Sequence, residues 1–145
     1  MACATGCSDC CHVRLTITGV EAAAIRGHVT AWPRERRQQL TETVSTSPVA
    51  ERCAALDAAG RCRIYDARPL VCRSHGVPIR MQQRSLPVVQ SCHRNFHRTA
   101  PDPDCILDQT TLSATLLAID TAERPPGEPA HRVDLAGLLA ELAGT

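Results

Sequence analysis

The sequence predicts a small, mostly α fold, marginally α+β, in which helices surround an irregular, cysteine-rich β-knuckle. Two observations lead to this prediction. Apolar residues recur at helical spacing in several segments of the chain. Between Cys53 and Cys62, by contrast, two short apolar segments flank a turn at 57–60, as in a small hairpin. The 145 residues fit a single domain, with a cysteine-bearing part at 1–99 and a helical tail at 104–143.

The first helix has a clear start signal. Residues 13–17 alternate apolar and polar side chains, which favours a short extended segment. Thr18 and Glu21 then match a capping box, in which each side chain satisfies a backbone amide at the helix start. The helix that follows places three apolar residues on one stripe, namely Ile25, Val29 and Trp32.

The middle of the chain predicts shorter elements. Pro33 suits the first turn of a second, exposed helix from Arg34 to about Val44, and 45–48 is a break. A short helix is expected from Pro69 and carries Cys72. Prolines at two positions within 76–91 favour one or two irregular edge strands there.

The last third predicts two helices. The first runs from Asp104 or Asp108 to Glu123, and a loop at 124–129 separates it from the second, at 133–143. The first helix has an apolar face of Leu112, Leu116 and Ile119. The second has a leucine stripe that suits either the core or a dimer seam: Leu135, Leu138, Leu139 and Leu142.

Charge and hydropathy exclude several classes of protein. The formal net charge is +1, so no electrostatic footprint for nucleic acid is present. Neither a signal peptide nor an apolar run long enough to span a membrane is found. We therefore expect a cytoplasmic protein without a membrane partner. In that reducing compartment, nine cysteines indicate metal binding or redox chemistry rather than disulfides.

Four cysteines crowd the N-terminus: Cys3, Cys7, Cys10 and Cys11. Loops of two or three residues can supply neighbouring corners of a metal site, and Gly6 allows a tight turn between the first two. The spacing of the first three also occurs where a cubane iron–sulfur cluster leaves one iron open. Because consecutive side chains diverge, Cys10 and Cys11 are expected not to share one ion. One of them would serve a second ion, bridge two metals or stay free.

A second group follows in the middle of the chain: Cys53, Cys62, Cys72 and Cys92. The pairs of a zinc ribbon are absent, so eight cysteines allow either two four-thiolate sites or one cluster with spare thiols. Soft thiolate ligands favour zinc or an iron–sulfur cluster. Cys105 stands apart, and we expect it to be buried as a small hydrophobe. Among the histidines, His75 is the first candidate for an additional ligand, since it follows Cys72 by three residues.

These motifs resemble a known family. The N-terminal cluster, Cys53-x-x-Leu56 and the stretch from Gly60 to Arg73, with its Cys-x-Ile-Tyr-x-x-Arg-Pro-x-x-Cys-Arg pattern, are similar to the YkgJ-type cysteine-cluster family, labelled CxxCxxCC. The resemblance covers about residues 3–92 and implies zinc or iron chelation by the eight cysteines. Flagellin lysine-N-methylases look similar in their cysteine region, where an iron–sulfur cluster is the suspected cofactor. Two positions depart from the family pattern, Ala54-Ala55 and His93.

The matched stretch also has a physical interpretation. Ile64 and Tyr65 would pack the knuckle onto the helical core. Arg68 and Arg73 flank the thiolates and would lower their pKa or offset the negative charge of a metal–thiolate site. Salt bridges of these arginines with Asp66 or Asp57 are the alternative.

Three functional hypotheses follow from the sequence. The first is a protein that chelates iron, as an iron–sulfur cluster, or zinc through its clustered thiolates. The second is a metal-dependent enzyme, or a subunit of one, that modifies a peptide or protein partner; no hydrolase or nucleotide-binding motif supports it, and no catalytic residue is assigned. The third is a thiol redox switch without metal, which would stay folded after chelation.

Overall fold

The computed structural model describes residues 3–40 and 52–145. Helix α1, Gly19–Thr30, begins with the predicted capping box. The Thr18 hydroxyl accepts from the amide of Glu21 at 3.4 Å, and the Glu21 carboxylate accepts from the amide of Thr18 at 2.9 Å. The predicted stripe is confirmed, because Ile25 and Val29 are fully buried and Trp32, just beyond the helix, is nearly so.

Short extended segments and the C-terminal helix complete the core. Strand β1, Thr16–Ile17, pairs antiparallel with β5, Val133–Asp134. Helix α5, Leu135–Gly144, follows at once, and the Asp134 carboxylate caps it by accepting from the amide of Gly137. The four leucines of the predicted stripe are buried in one cluster with Ile17, Ile25 and Val29. This stripe is therefore core and not a dimer seam.

The second helix is short. Helix α2, Arg34–Gln38, has Pro33 at its N-cap and is exposed, as expected. Leu40, two residues beyond it, is fully buried. The predicted continuation of the helix to Val44 and the break at 45–48 lie outside the described residues.

The remaining helices flank the cysteine-rich segment. Helix α3, Leu70–Ser74, begins after Pro69 and carries Cys72, as predicted. Helix α4, Gln109–Glu123, starts at the second of the two predicted positions, where the Asp108 carboxylate accepts from the amide of Thr111. The predicted apolar face of α4 is only partly buried, and Ile119 is 46% exposed. This face lines an open groove whose other side is formed by α1 and Leu70.

The expectation of a mostly α fold is wrong, because the protein is a small α+β fold. Strands β2, Ile79–Gln83, and β3, Leu86–Gln90, form a regular antiparallel hairpin rather than irregular strands. Strand β4, Leu107–Asp108, adds to β2 in parallel, so the order is β3-β2-β4 and Pro87 lies on an edge strand. The two loop residues, Arg84 and Ser85, have φ of 48° and 69°. They make the left-handed turn that suits a tight hairpin, but Asn-Gly is its usual sequence signal.

The predicted knuckle is confirmed at 53–62, where Leu56 and Cys62 form an antiparallel bridge. Ile64 is buried, as expected, but Tyr65 is 58% exposed and does not pack onto the core. Its ring instead lies 3.6 Å from the guanidinium carbon of Arg68. No helix of the described residues is long and apolar enough to cross a membrane.

Candidate metal centre

The N-terminal cysteines lie on two consecutive tight turns. Gly6 has φ of +88°, and the amide of Cys7 donates to the carbonyl oxygen of Ala4 at 3.0 Å. Residues Asp9–Cys11 then form a single 3₁₀ turn. This turn brings the Sγ atoms of Cys10 and Cys11 to within 3.8 Å of each other. The expected divergence of these adjacent side chains is therefore wrong.

The knuckle is built against this N-terminal segment. The Asp57 carboxylate accepts from the amides of Ala59 and Arg61 at 2.9 and 2.8 Å, which closes the turn. Gly60 has φ of +74°, and a β-carbon there would lie 3.2 Å from the carbonyl oxygen of Gly6. The amide of Cys53 donates to the carbonyl oxygen of Cys11 at 2.8 Å. Backbone contacts thus hold Cys11 and Cys53 together.

Helix α3 is tied to the core by one side chain. The Glu21 carboxylate uses one oxygen for the start of α1 and the other to accept from the amide of Leu70 at 2.8 Å. This bond fixes the first residue of α3 relative to α1. Cys72, two residues further on, is placed by it.

Five cysteines thereby form one group, which we call the five-thiol group: Cys10, Cys11, Cys53, Cys62 and Cys72. Burial raises the pKa of the Cys11 thiol to about 12, and the neighbouring Cys10 adds to that rise. Burial likewise raises the pKa of Cys72 to about 12, with further contributions from Cys53, Cys62 and Cys10. Burial also raises the pKa of Cys53 and of Cys62. The thiols interact electrostatically across three separate chain segments.

We call the other three cysteines of the predicted set the three-thiol group: Cys3, Cys7 and Cys92. Two of them, Cys3 and Cys92, lie near Gly76. A β-carbon placed on Gly76 would lie 3.1 Å from the Sγ of Cys3 and 3.9 Å from the β-carbon of Cys92. The charge of Arg94 interacts with Cys7 and Cys92.

The two predicted arginines act differently. The charge of Arg68 lowers the pKa of Cys62 and of Cys72, although burial outweighs it in both cases. The guanidinium of Arg73 instead donates to the carbonyl oxygens of Arg68, at 2.7 Å, and Asp66. It braces the turn before α3. The alternative of a salt bridge with Asp57 does not occur, because that carboxylate pairs with Arg61.

The two remaining candidates, His75 and Cys105, are both exposed. His75 is exposed at the end of α3, where its amide donates to Val71. Cys105 is exposed in a 3₁₀ turn, so the expectation that it is buried is wrong. Its position one turn before α4, next to Pro103, keeps it on the surface.

Sequence reasoning missed the residues that surround the three-thiol group. Asn95 is 5% exposed, and its side-chain amide donates to the carbonyl oxygen of Gly76 at 2.6 Å. Arg94 donates to the Asp9 carboxylate at 2.6 Å. None of these residue types stands in a recognisable ligand spacing, and only their proximity to Cys92 in sequence could have indicated them.

The donor set fits a thiophilic metal by its chemistry. Thiolates bind zinc and iron at about 2.3 Å, so two sulfurs on one tetrahedral ion lie about 3.8 Å apart. The Cys10–Cys11 separation of 3.8 Å matches that edge. Within residues 3–40 and 52–145, no group of three or more cysteine, histidine or carboxylate side chains is arranged so that it could hold a metal ion. The fit to a metal therefore rests on the chemistry of the thiols and on the Cys10–Cys11 separation.

Comparison with protein families agrees with this chemistry. The sequence model of one family, CxxCxxCC, described as "Putative zinc- or iron-chelating domain", matches residues 2–105. The chain belongs to this family, and its class is that of metal-binding proteins that chelate zinc or iron. No curated protein and no solved structure matches the chain.

Proposed function

We propose that the five-thiol group is the main chelating site, and that it binds zinc or iron, the latter as an iron–sulfur cluster. The observation that carries the proposal is the 3.8 Å separation of the Cys10 and Cys11 sulfurs. The thiols of Cys53, Cys62 and Cys72 interact electrostatically with this pair or with one another. Four of the five suffice for a tetrahedral ion or a cubane cluster. When bound, such a group supplies either a structural cross-link or an electron carrier.

A positively charged side chain near the five-thiol group offsets the negative charge that thiolate chelation would create. Four thiolates around a divalent ion carry net negative charge, which is costly in a partly buried site unless a cation lies near. Arg68 supplies that charge, since it already favours the thiolate forms of Cys62 and Cys72. Its stacking on Tyr65 holds the guanidinium in place.

Chelation here would also stabilise the fold. The five cysteines come from the N-terminal turns, the knuckle and α3, which are joined by few backbone bonds such as that between Cys53 and Cys11. A metal that binds all three segments in the folded chain adds its binding free energy to folding. We therefore expect chelators to destabilise residues 3–11 and 53–74 before the leucine core of α1 and α5.

The test is anaerobic purification of the full chain, followed by elemental analysis and an absorption spectrum of one sample. A colourless protein with zinc supports a structural ion, whereas iron with acid-labile sulfide and broad absorption near about 400 nm supports a cluster. The double variant Cys11→Ser/Cys72→Ser, which leaves only three thiols in the five-thiol group, should lose the metal or cluster. Cys105→Ser, at an exposed cysteine outside the group, should retain it. A folded wild-type protein free of metal, with titratable thiols, would contradict the proposal.

A further inference from the structure

The open groove between α1, α4 and the segment at 66–70 has a volume of about 560 Å³. Along α1, the lining residues are three and four positions apart and so share one face of the helix: Glu21, Ala24 and His28. The lining residues of α4 also share one face: Leu112, Thr115, Leu116 and Ile119. On both helices the first and last lining residues are seven positions apart, which is a length of about 10 Å, or two helical turns.

Hydrogen bonds at the first turn of α1 hold the walls of this groove in place. The Asp120 carboxylate of α4 accepts from the amide of Val20 at 2.9 Å. The Glu21 carboxylate accepts from the amide of Leu70 at 2.8 Å, which ties the segment at 66–70 to the same turn. From these two attachments the groove continues along α1 as far as His28. The walls are therefore positioned before a ligand binds, which lowers the entropy that binding costs.

The α4 wall of the groove is uncharged and largely apolar. Three of its four lining residues are aliphatic. Leu112 and Leu116 are only partly buried, and Ile119 is 46% exposed. Ala24 and Leu70 add apolar surface on the other two walls. A ligand that covers these side chains removes their apolar surface from water, which favours binding.

The edge of the groove at 66–73 is positively charged. The Arg73 guanidinium donates to the backbone carbonyl oxygens of Arg68, at 2.7 Å, and Asp66, and within the described part of the chain it pairs with no carboxylate. The charge of Glu21 is offset by the amides at the positive end of α1. Two guanidinium groups then remain beside one carboxylate, that of Asp66. A ligand with its own carboxylate therefore suits this edge.

We propose that the groove docks an amphipathic helix of a protein partner, with an apolar stripe against α1 and α4 and a carboxylate near Arg73. The anchors of such a helix, at positions i, i+3 or i+4 and i+7, span the same two turns as the walls. The N–H groups of Arg73 that the two carbonyl oxygens leave free would donate charge-assisted hydrogen bonds to the carboxylate. A second copy of the chain docked through this same face would bring a second positive edge instead of a complementary one.

The test uses full-length protein purified anaerobically, with the metal it carries, and the fluorescence anisotropy of two labelled peptides of about 18 residues, long enough to form a helix. Both peptides have the same leucine stripe at helical spacing. One has glutamate and the other lysine on the flanking positions. The glutamate peptide should bind, and the Kd of the lysine peptide should be about tenfold higher because its charges repel the edge at 66–73.

Two variants locate the binding to the groove. Ile119→Glu places a carboxylate on the α4 wall and should abolish binding of the glutamate peptide. Leu117→Glu is the matched control and should bind as the wild type does, since Leu117 is 58% exposed on the same helix and does not line the groove. Arg73→Gln should raise the Kd of the glutamate peptide about tenfold and reduce the difference between the two peptides. Circular dichroism establishes that each variant is folded.

Several results would overturn the proposal. They are a glutamate peptide that does not bind, equal affinity for both peptides, and binding that Ile119→Glu leaves intact. Sedimentation that shows a wild-type dimer, dissociated by Ile119→Glu, would assign the groove to a second copy. Dodecanoate that binds with the same dependence on Ile119, in the absence of peptide binding, would assign it to a small amphiphile.

Discussion

The backbone amide of Cys53 donates a hydrogen bond of 2.8 Å to the carbonyl oxygen of Cys11. This bond joins the N-terminal turns to the knuckle, two segments whose thiols would otherwise be independent. Cys53 is buried beside Ala55 and Leu56 in the core, and this packing fixes the position of Cys53. Because the backbone of Cys11 is hydrogen-bonded to Cys53, the position of Cys11 is fixed as well. The five-thiol group is therefore assembled by tertiary structure as well as by short sequence spacing.

Gly60→Ala should weaken this assembly. The substitution places a β-carbon at φ of +74° and 3.2 Å from the carbonyl oxygen of Gly6. The left-handed conformation alone costs an alanine about 1–2 kcal/mol. We expect a lower free energy of unfolding in urea and a lower metal content. Gly27→Ala is the control, because a β-carbon there meets nothing within 4 Å, and it should stabilise α1 by about 1 kcal/mol. Equal stability of the two variants would contradict the role of the Gly6–Gly60 contact.

Glu21→Ala should uncouple α3 from α1. The amides of Thr18 and Leu70 both lose their acceptor, at 2.9 and 2.8 Å. A fully buried amide left without a partner costs about 1–3 kcal/mol, and these two partly buried amides should each cost less. Thr18→Ala loses the cap and the hydroxyl that donates to the Glu21 carboxylate at 2.9 Å but keeps the acceptor of Leu70, and it should cost about 1 kcal/mol. If Glu21 positions Cys72, metal affinity falls in Glu21→Ala and is retained in Thr18→Ala. The same affinity in both variants would show that α3 is placed by other contacts.

Asp120→Asn should change the acid sensitivity of the fold. Asp120 lies on α4, and its carboxylate accepts from the amide of Val20 at 2.9 Å and from Arg124 at 2.8 Å. These bonds lower the pKa of Asp120 below its ordinary value of 3.8. Because the folded pKa is the lower one, the stabilisation is complete above the ordinary value and is lost as the pH falls through the folded value.

The measurement is chemical denaturation of both proteins between about pH 5 and pH 3, a range that includes the ordinary pKa of an aspartate. The difference in free energy of unfolding between wild type and Asp120→Asn should shrink as the pH falls. Glu123→Gln, an exposed residue of the same helix, should show no such trend. A constant difference for Asp120→Asn would contradict a lowered pKa.

The sequence predicted the helices well because their signals are local. The capping box of Thr18 and Glu21, the stripe through Ile25 and Val29, and the leucines of α5 each lie within a few turns of one helix. The hairpin at 79–90 was underestimated because Arg84 and Ser85 adopt left-handed conformations that their residue types do not indicate.

The family and its chelating chemistry could be predicted from the sequence, but the arrangement of the cysteines could not. Clustered cysteines and the family pattern indicated thiolate chelation. The division into five and three thiols depends instead on tertiary contacts, such as that of Gly76 with Cys3, which no spacing encodes. The Cys10 and Cys11 sulfurs are likewise close because Asp9–Cys11 forms a 3₁₀ turn. In an extended chain the side chains of two adjacent residues would point in opposite directions.

X-ray absorption spectroscopy of the anaerobically purified protein at the metal edge tests the central claim most directly, since it reports the metal and its sulfur neighbours together. We predict a zinc or iron edge with a first shell dominated by sulfur at about 2.3 Å, and a clear loss of that shell in the double variant Cys11→Ser/Cys72→Ser, which leaves only three thiols in the group. A first shell of oxygen or nitrogen, or a sulfur shell that is unchanged by this double substitution, would contradict chelation by the five-thiol group.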